Sequence, residues 1–290
     1  SSEGVLMGAR GPGARLIREA REALSARKRR MPWSKSGLSR AERVVAFLQW
    51  LPITKGPLAG KKLKLLPTQR EFVMQVYGDL DAKGLRRRRI GIKSEPKGNG
   101  KTGLCAGLVM CHLVGPEAEP RGECYSAAVD SQRAGIVFSE CEAIILAVPE
   151  FAVATNIRRH EKRIEVTAGA GKGSIYQAMS ADARKGHAIS PSLFVFDELA
   201  QVPDRELLDN LLNGLGKRKE ALGLIISTQA PDDDHALSRL IDDGLSGADP
   251  STYVQLIAAP PEADPFDERT WLACNPALGK YLSMKEMREA

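Results

Sequence analysis

The chain has 290 residues, 43% hydrophobic and 27% charged, with a formal net charge of +6. That composition suits a globular protein with a sizeable core, in one large or two modest domains, and no apolar run approaches the roughly 18 residues of a membrane span. Cys105, Cys111, Cys124, Cys141 and Cys274 lie mostly in apolar contexts without a C-x-x-C pair, which reads as buried, reduced thiols of a cytoplasmic protein rather than a disulfide framework or a zinc site.

The charge is unevenly placed. Residues 1–40 carry a net +7, so the remaining 250 sum to −1. Within that basic arm, 14–30 reads as a helix ending in Arg27-Lys28-Arg29-Arg30, either a nucleic-acid contact or a solvated helix end. Pro32 and Gly37 break the pattern. Ser39 caps a helix over 40–51, with Val44, Val45, Phe47, Leu48 and Leu51 on one apolar stripe. A Pro/Gly/Lys loop follows at 52–62, and Pro67-Thr68-Gln69 opens a second helix reaching about Tyr77. Arg86-Arg87-Arg88-Arg89 then precedes a strand at 89–93, either facing DNA or forming the exposed entry to that strand.

From there strands and helices alternate. Helices are predicted at 101–114, 131–146, 205–214 and 235–243. Strands are predicted at 123–128, 162–167, 174–178, 193–196, 222–227 and 252–257. Residues 193–196 and 222–227 are continuous apolar runs of the kind a buried parallel strand shows. The pattern predicts an α/β protein with a central, mostly parallel sheet flanked by helices.

Four segments carry chemistry. Residues 94–102 read Ser-Glu-Pro-Lys-Gly-Asn-Gly-Lys-Thr, a phosphate-binding loop in which Gly100, Lys101 and Thr102 fit the G-x-x-x-x-G-K-[S/T] pattern and Glu95 stands where the first glycine belongs. The loop follows a strand and opens a helix, whose N-terminus aims its dipole and free N–H groups at a phosphate. Backbone amides from Gly98 to Lys101 can wrap the phosphate, with Lys101 reaching the β and γ oxygens of ATP and Thr102 holding Mg²⁺. The second segment, Phe196-Asp197-Glu198, ends an apolar strand in two carboxylates at the sheet edge where ligands bind. Asp197 is the candidate Mg²⁺ residue through water, and Glu198 the base that orients and deprotonates an attacking water. The third, Ser227-Thr228-Gln229, ends another buried strand in groups that can contact the γ-phosphate or its water. The fourth is Gln69, whose amide can read adenine. The spacing of loop and acidic pair fits a RecA-like P-loop NTPase of the ASCE type, in which a strand is inserted between the two nucleotide-binding strands.

Taken together, over residues 40–290, these segments resemble the ATPase domain of tailed-phage terminase large subunits. The loop Pro96-Lys97-Gly98-Asn99-Gly100-Lys101-Thr102 is similar to that family's variant loops, which often lack the first glycine. Residues 125–134, 180–186, Phe196-Asp197-Glu198, Ser227-Thr228-Gln229 and Trp271-Leu272-Ala273-Cys274-Asn275-Pro276 match its ordered set. The resemblance implies a motor that hydrolyses Mg-ATP to move double-stranded DNA into a procapsid. It implies a homo-oligomeric ring when working, a portal protein and a small terminase subunit as partners, and action in the host cytoplasm at the procapsid portal. It puts Lys97 where many members place an arginine that touches the γ-phosphate in cis, although lysine lacks arginine's bidentate fork. Arg158, Arg159, Arg184 and Arg218 are candidates for an arginine acting in trans. It also implies the division 1–38 basic arm, 39–258 ATPase domain and 259–290 linker toward a nuclease domain, so that this chain is expected to be a piece of a longer protein without nuclease activity. Two alternatives stand beside it: a helicase-like ATPase of the same class, and a degenerate module that binds nucleotide or DNA without turnover.

Overall fold

The computed structural model describes residues 31–180 and 189–289. The basic cluster at 27–30 and most of the 180–186 segment, Arg184 included, lie outside the described residues.

Helix α1 (Arg40–Leu48) starts at a reciprocal cap: the Glu42 amide donates to the Ser39 hydroxyl, and the Ser39 amide donates to the Glu42 carboxylate. Helix α2 (Pro67–Gly78) opens on proline, whose missing N–H costs nothing in the first turn. The alternating part then runs β1 (Ile90–Ser94), α3 (Lys101–Leu113), β2 (Glu123–Ala128), α4 (Ser131–Ala147) and α5 (Pro149–Ala154). It continues through β3 (Thr155–Arg158), β4 (Arg163–Val166), β5 (Ile175–Ser180), β6 (Leu193–Asp197), α6 (Glu206–Leu215), β7 (Leu222–Ser227), α7 (Ala236–Ser246) and β8 (Thr252–Leu256). Two short helices close it, α8 (Glu268–Cys274) and α9 (Met284–Glu289).

The eight strands form one sheet in the order β3-β4-β5-β2-β6-β7-β1-β8. Pairings among β5, β2, β6, β7, β1 and β8 are parallel, while β3, β4 and β5 pair antiparallel. The inserted strand expected from the motif spacing is β7, which lies between β1 and β6. Side chains of the central strands alternate between two cores. Leu222, Leu224, Ile226 and Val195 pack with α1, α2, α3 and α4 on one face. Ile92, Phe194, Phe196 and Ile225 pack with Leu207, Leu208, Leu211 and Leu237 of α6 and α7 on the other. Gly223 is required at its position, since a Cβ there would come 2.5 Å from the Phe194 ring.

Most of the arginine run before β1 is turned to contacts within the fold rather than outward. Arg86 is buried, donates to Glu117 at 2.8 Å and lies over the Tyr77 ring at 4.7 Å. Arg88 pairs with Asp79 at 2.7 Å and donates to the Pro250 and Thr252 carbonyls. Arg89 donates to the Ala221 and Leu215 carbonyls. Only Arg87 of the run is exposed. Arg218, a candidate for action in trans, is likewise spent on Glu119 at 2.7 Å and on the Ser190 and Arg121 carbonyls. Arg158 and Arg159 stay partly exposed beside the edge hairpin β3–β4, paired with Glu161, Glu165 and Glu142.

Candidate nucleotide-binding site

Strands β1, β6 and β7 end side by side, so the phosphate loop, the acidic pair and the Ser-Thr-Gln segment share one sheet edge. Two left-handed glycines shape the loop, Gly98 at φ +84° and Gly100 at φ +76°, a conformation nearly free of cost only for glycine. Thr102 stands in the first turn of α3, next to Lys101. The loop is held from below: the Glu95 amide donates to the Ser227 carbonyl at 3.0 Å, and the Lys101 ammonium donates to the Glu95 and Pro96 carbonyls at 3.0 and 3.1 Å.

Glu198 follows β6 in the left-handed region at φ 58°, ψ 51°, which costs a non-glycine residue about 1–2 kcal/mol. Surrounding contacts over-determine it. Its amide donates to the Ile226 carbonyl at 3.0 Å. One carboxylate oxygen accepts from the Thr228 amide and hydroxyl at 3.1 and 3.0 Å, and the other lies 3.2 Å from Lys101 Nζ. The Ser227 hydroxyl accepts from the Ala200 amide at 3.0 Å. Strand β7 is therefore stitched to both nucleotide-binding strands. A strained backbone at a carboxylate in a cleft is a pattern that functional sites show.

The Asp197 carboxylate has no hydrogen-bond or ion-pair partner among the described residues. Burial first, and then the neighbouring Glu198 charge, push its carboxyl up to about 6. A buried carboxylate so raised is relieved by a cation, so Asp197 fits the Mg²⁺ role read from the sequence. Lys97 is exposed and lines the same cavity; Gln229 is exposed and has no hydrogen-bond partner among the described residues.

The cavity holds about 670 Å³ and runs from Gly98, Gly100, Lys101 and Thr102 to an apolar wall at Leu58, Leu63 and Leu65. Gln69 lines it, and its amide already makes two bonds: the oxygen accepts from the Leu66 amide at 3.0 Å and the nitrogen donates to the Asn99 carbonyl at 3.0 Å. In the structure it braces the phosphate loop, while one N–H and one oxygen lone pair of the amide are left over.

Sequence reasoning missed two features. Lys93 and Glu95 form a fully buried ion pair at 2.9 Å under the loop, and Lys93 also donates to Gln255 of β8 at 2.6 Å. A lysine inside an apolar strand, two residues before a glutamate and so on the same side of the chain, was the available signal. The second is the stretch at 275–282, expected as linker. The Ala277 amide donates to Asn99 Oδ1 at 2.9 Å, and Asn99 Nδ2 donates to Asn275 Oδ1 at 3.3 Å. Leu282 lies against Gly98 and Tyr281 against Gly100.

A parallel sheet with a strand between the phosphate-loop and acidic strands, and Lys101, Asp197, Glu198 and Thr228 gathered at its edge, defines a P-loop nucleotide-binding protein of the RecA-like class. The family described as "Terminase large subunit, ATPase domain" matches residues 67–243, and the chain belongs to it. It is 34% identical over 253 residues to the "Terminase, large subunit" of Enterobacteria phage HK97, covering 86% of this chain and 49% of that protein. The crystal structure of the HK97 large terminase superposes with a TM-score of 0.78 at 33% identity, over 87% of this chain and 51% of that one. The large terminase of a thermophilic bacteriophage, in complex with ADP, shares the fold, with a TM-score of 0.53 at 11% identity over 78% of this chain and 49% of that one. The chain thus spans about half the length of the relatives it matches. Membership of this family does not favour the helicase-like and non-hydrolysing alternatives. Among the described residues no helix is long and apolar enough to cross a membrane.

Proposed function

We propose that this chain is the ATP-hydrolysing domain of a DNA-packaging motor that drives double-stranded DNA into a procapsid. The observation that carries the proposal is the gathering of Lys101, Glu198 and Thr228 past the ends of three adjacent strands, with Glu198 within hydrogen-bonding reach of both the others. Lys101 and the amides of the loop bind the β- and γ-phosphates. A polyphosphate offers the Lys101 ammonium a stronger partner than two backbone carbonyls, so binding loosens its hold on Glu198. Thr102 and Asp197 would hold Mg²⁺, which supplies neutralisation of the phosphate oxygens. Glu198, pointed by Thr228, orients and deprotonates the attacking water. Because Thr228 and Ser227 lie on the strand between, loss of the γ-phosphate reaches both neighbouring strands through the hydrogen bonds described above.

Further assignments rest on the family. Lys97 touches the γ-phosphate in cis as a point charge. The working form is a homo-oligomeric ring at the portal in the host cytoplasm, with a small terminase subunit as partner and an arginine in trans. The division at 38 and 258 separates a basic arm, the ATPase domain and a segment toward a nuclease domain. The test is phosphate release from Mg-ATP with and without double-stranded DNA. Release stimulated by DNA and abolished in Lys101→Ala is expected; release unchanged in Lys101→Ala contradicts the proposal.

A further inference from the structure

The Gln69 amide already holds the Leu66 amide and the Asn99 carbonyl, which restricts how it can turn toward an adenine. The cavity offers another reader. Its lining includes the phosphate loop, Leu63 and Leu65, and also Tyr281 from the 275–282 segment. Tyr281 does not lie there by a loose tail's accident. Asn99, inside the loop, grips that segment with both ends of its amide, accepting from Ala277 and donating to Asn275, and both of those residues are buried. The Tyr281 hydroxyl in turn meets Gly100 so closely that a Cβ there would be 2.7 Å from it. Tyr281 as a residue is nevertheless 44% exposed, so an aromatic residue on an anchored segment borders the cavity without being fully covered. A volume of about 670 Å³ is in the range of sites for ligands larger than a polyphosphate alone.

We propose that Tyr281, which lines the same cavity as the aliphatic side chains of Leu63 and Leu65, holds the nucleobase of the bound purine nucleotide, making the 275–282 segment a wall of the site. The inference rests on the nucleotide-binding reading above. An aromatic ring and aliphatic side chains lining one cavity suit a flat purine, whose recognition then depends on stacking and shape more than on hydrogen bonds. The Asn99 clasp keeps Tyr281 in register with the phosphates, so base and polyphosphate are read by parts of the chain that are bolted together across a sequence separation of 178 residues.

The experiment compares Kd for ADP and for inorganic tripolyphosphate, both with Mg²⁺, in the unsubstituted chain, Tyr281→Ala, Tyr281→Phe and Leu63→Ala. Expected is a roughly five- to hundredfold loss of ADP affinity in Tyr281→Ala, near-parental ADP affinity in Tyr281→Phe, a smaller loss in Leu63→Ala, and tripolyphosphate affinity unchanged in all. Equal loss of ADP and tripolyphosphate in Tyr281→Ala would overturn the assignment, since Tyr281 would then be shaping the phosphate loop. So would undiminished ADP affinity. An unsubstituted chain that binds neither ligand overturns the nucleotide reading itself, which sets that failure apart from the others.

Discussion

Glu95→Met removes one half of the ion pair on which the phosphate loop stands. The Lys93 ammonium and the Glu95 carboxylate are 2.9 Å apart with no side-chain exposure on either. Burial drags the Lys93 pKa below its ordinary 10.5 and pushes Glu95 above its ordinary 4.5, with each partner's charge opposing the other's shift. In Glu95→Met the lysine keeps the Gln255 amide oxygen and the charge of Glu71, which it does not bond directly. Shedding its proton at pH 7 costs about 5 kcal/mol, at about 1.4 kcal/mol per pH unit, and that sets the ceiling on the damage. Breaking a buried pair typically costs about 3–5 kcal/mol. Lys93→Met leaves Glu95, and protonating a carboxyl from its ordinary value at pH 7 costs only about 3 kcal/mol, so the acid's loss is the worse of the two. At about 2–4 °C per kcal/mol, Glu95→Met melts roughly 10–20 °C below the parent and Lys93→Met about 6–12 °C below. Lys93→Met with Glu95→Met removes both charges and recovers most of the loss.

The pH slopes of the two single variants have opposite signs. An unpaired buried Lys93 has a folded pKa below its unfolded one, so the unfolded chain binds more protons and stability rises with pH toward about 10.5. An unpaired buried Glu95 has a folded pKa above its unfolded one, so stability falls as pH climbs from about 4.5 through the folded value. Thermal unfolding followed by circular dichroism between pH 6 and 9 reads both effects. Single variants within about 2 °C of the parent, or a double variant no better than the worse single, would refute the reasoning.

Two other predictions concern the frame around the site. Burial opposes the charge of Glu117, but Arg40 at 2.7 Å and Arg86 at 2.8 Å outweigh it and hold the carboxyl at about 2. A folded pKa below the unfolded value contributes stability above about pH 4.5 that is lost as pH falls through about 2. Glu117→Gln should therefore cost about 3 kcal/mol at pH 7, and urea midpoints for parent and variant should converge in acid; a constant gap would contradict this. Gly223→Ala forces a methyl against the Phe194 ring between β6 and β7, and overpacking of that kind costs about 1–3 kcal/mol, which the same urea curves would show as an earlier midpoint.

The sheet was legible because its central strands are unbroken apolar runs closed by chemistry: Leu193 to Phe196 by Asp197 and Glu198, and Leu222 to Ile226 by Ser227. Burial on both faces leaves such strands no polar period, and their lengths mark them as strands rather than helices. Motif spacing also called for an inserted strand, although not which one. Strand β3 went unread because its residues alternate between half-buried and exposed at the sheet edge, where the apolar signal is weak. Arg86, Arg88 and Arg89 read as a surface run because charge in a linear sequence carries no direction; their partners come from Glu117, Asp79 and carbonyls as far away as Thr252. The clasp between Asn99 and residues 275–277 spans nearly the whole alternating fold, and no local pattern reports a contact of that range. Gln69 was found as a site residue by its place before the loop, but its observed partners are backbone groups, which a sequence does not display.

Single-turnover phosphate release by Glu198→Gln tests the central claim most directly. The substitution keeps the size of the side chain and an oxygen for Thr228 while removing the base. The account predicts an ATP affinity within a few-fold of the parent and a hydrolysis rate lower by about a hundred- to ten-thousandfold. Hydrolysis at the parental rate with ATP still bound would contradict it.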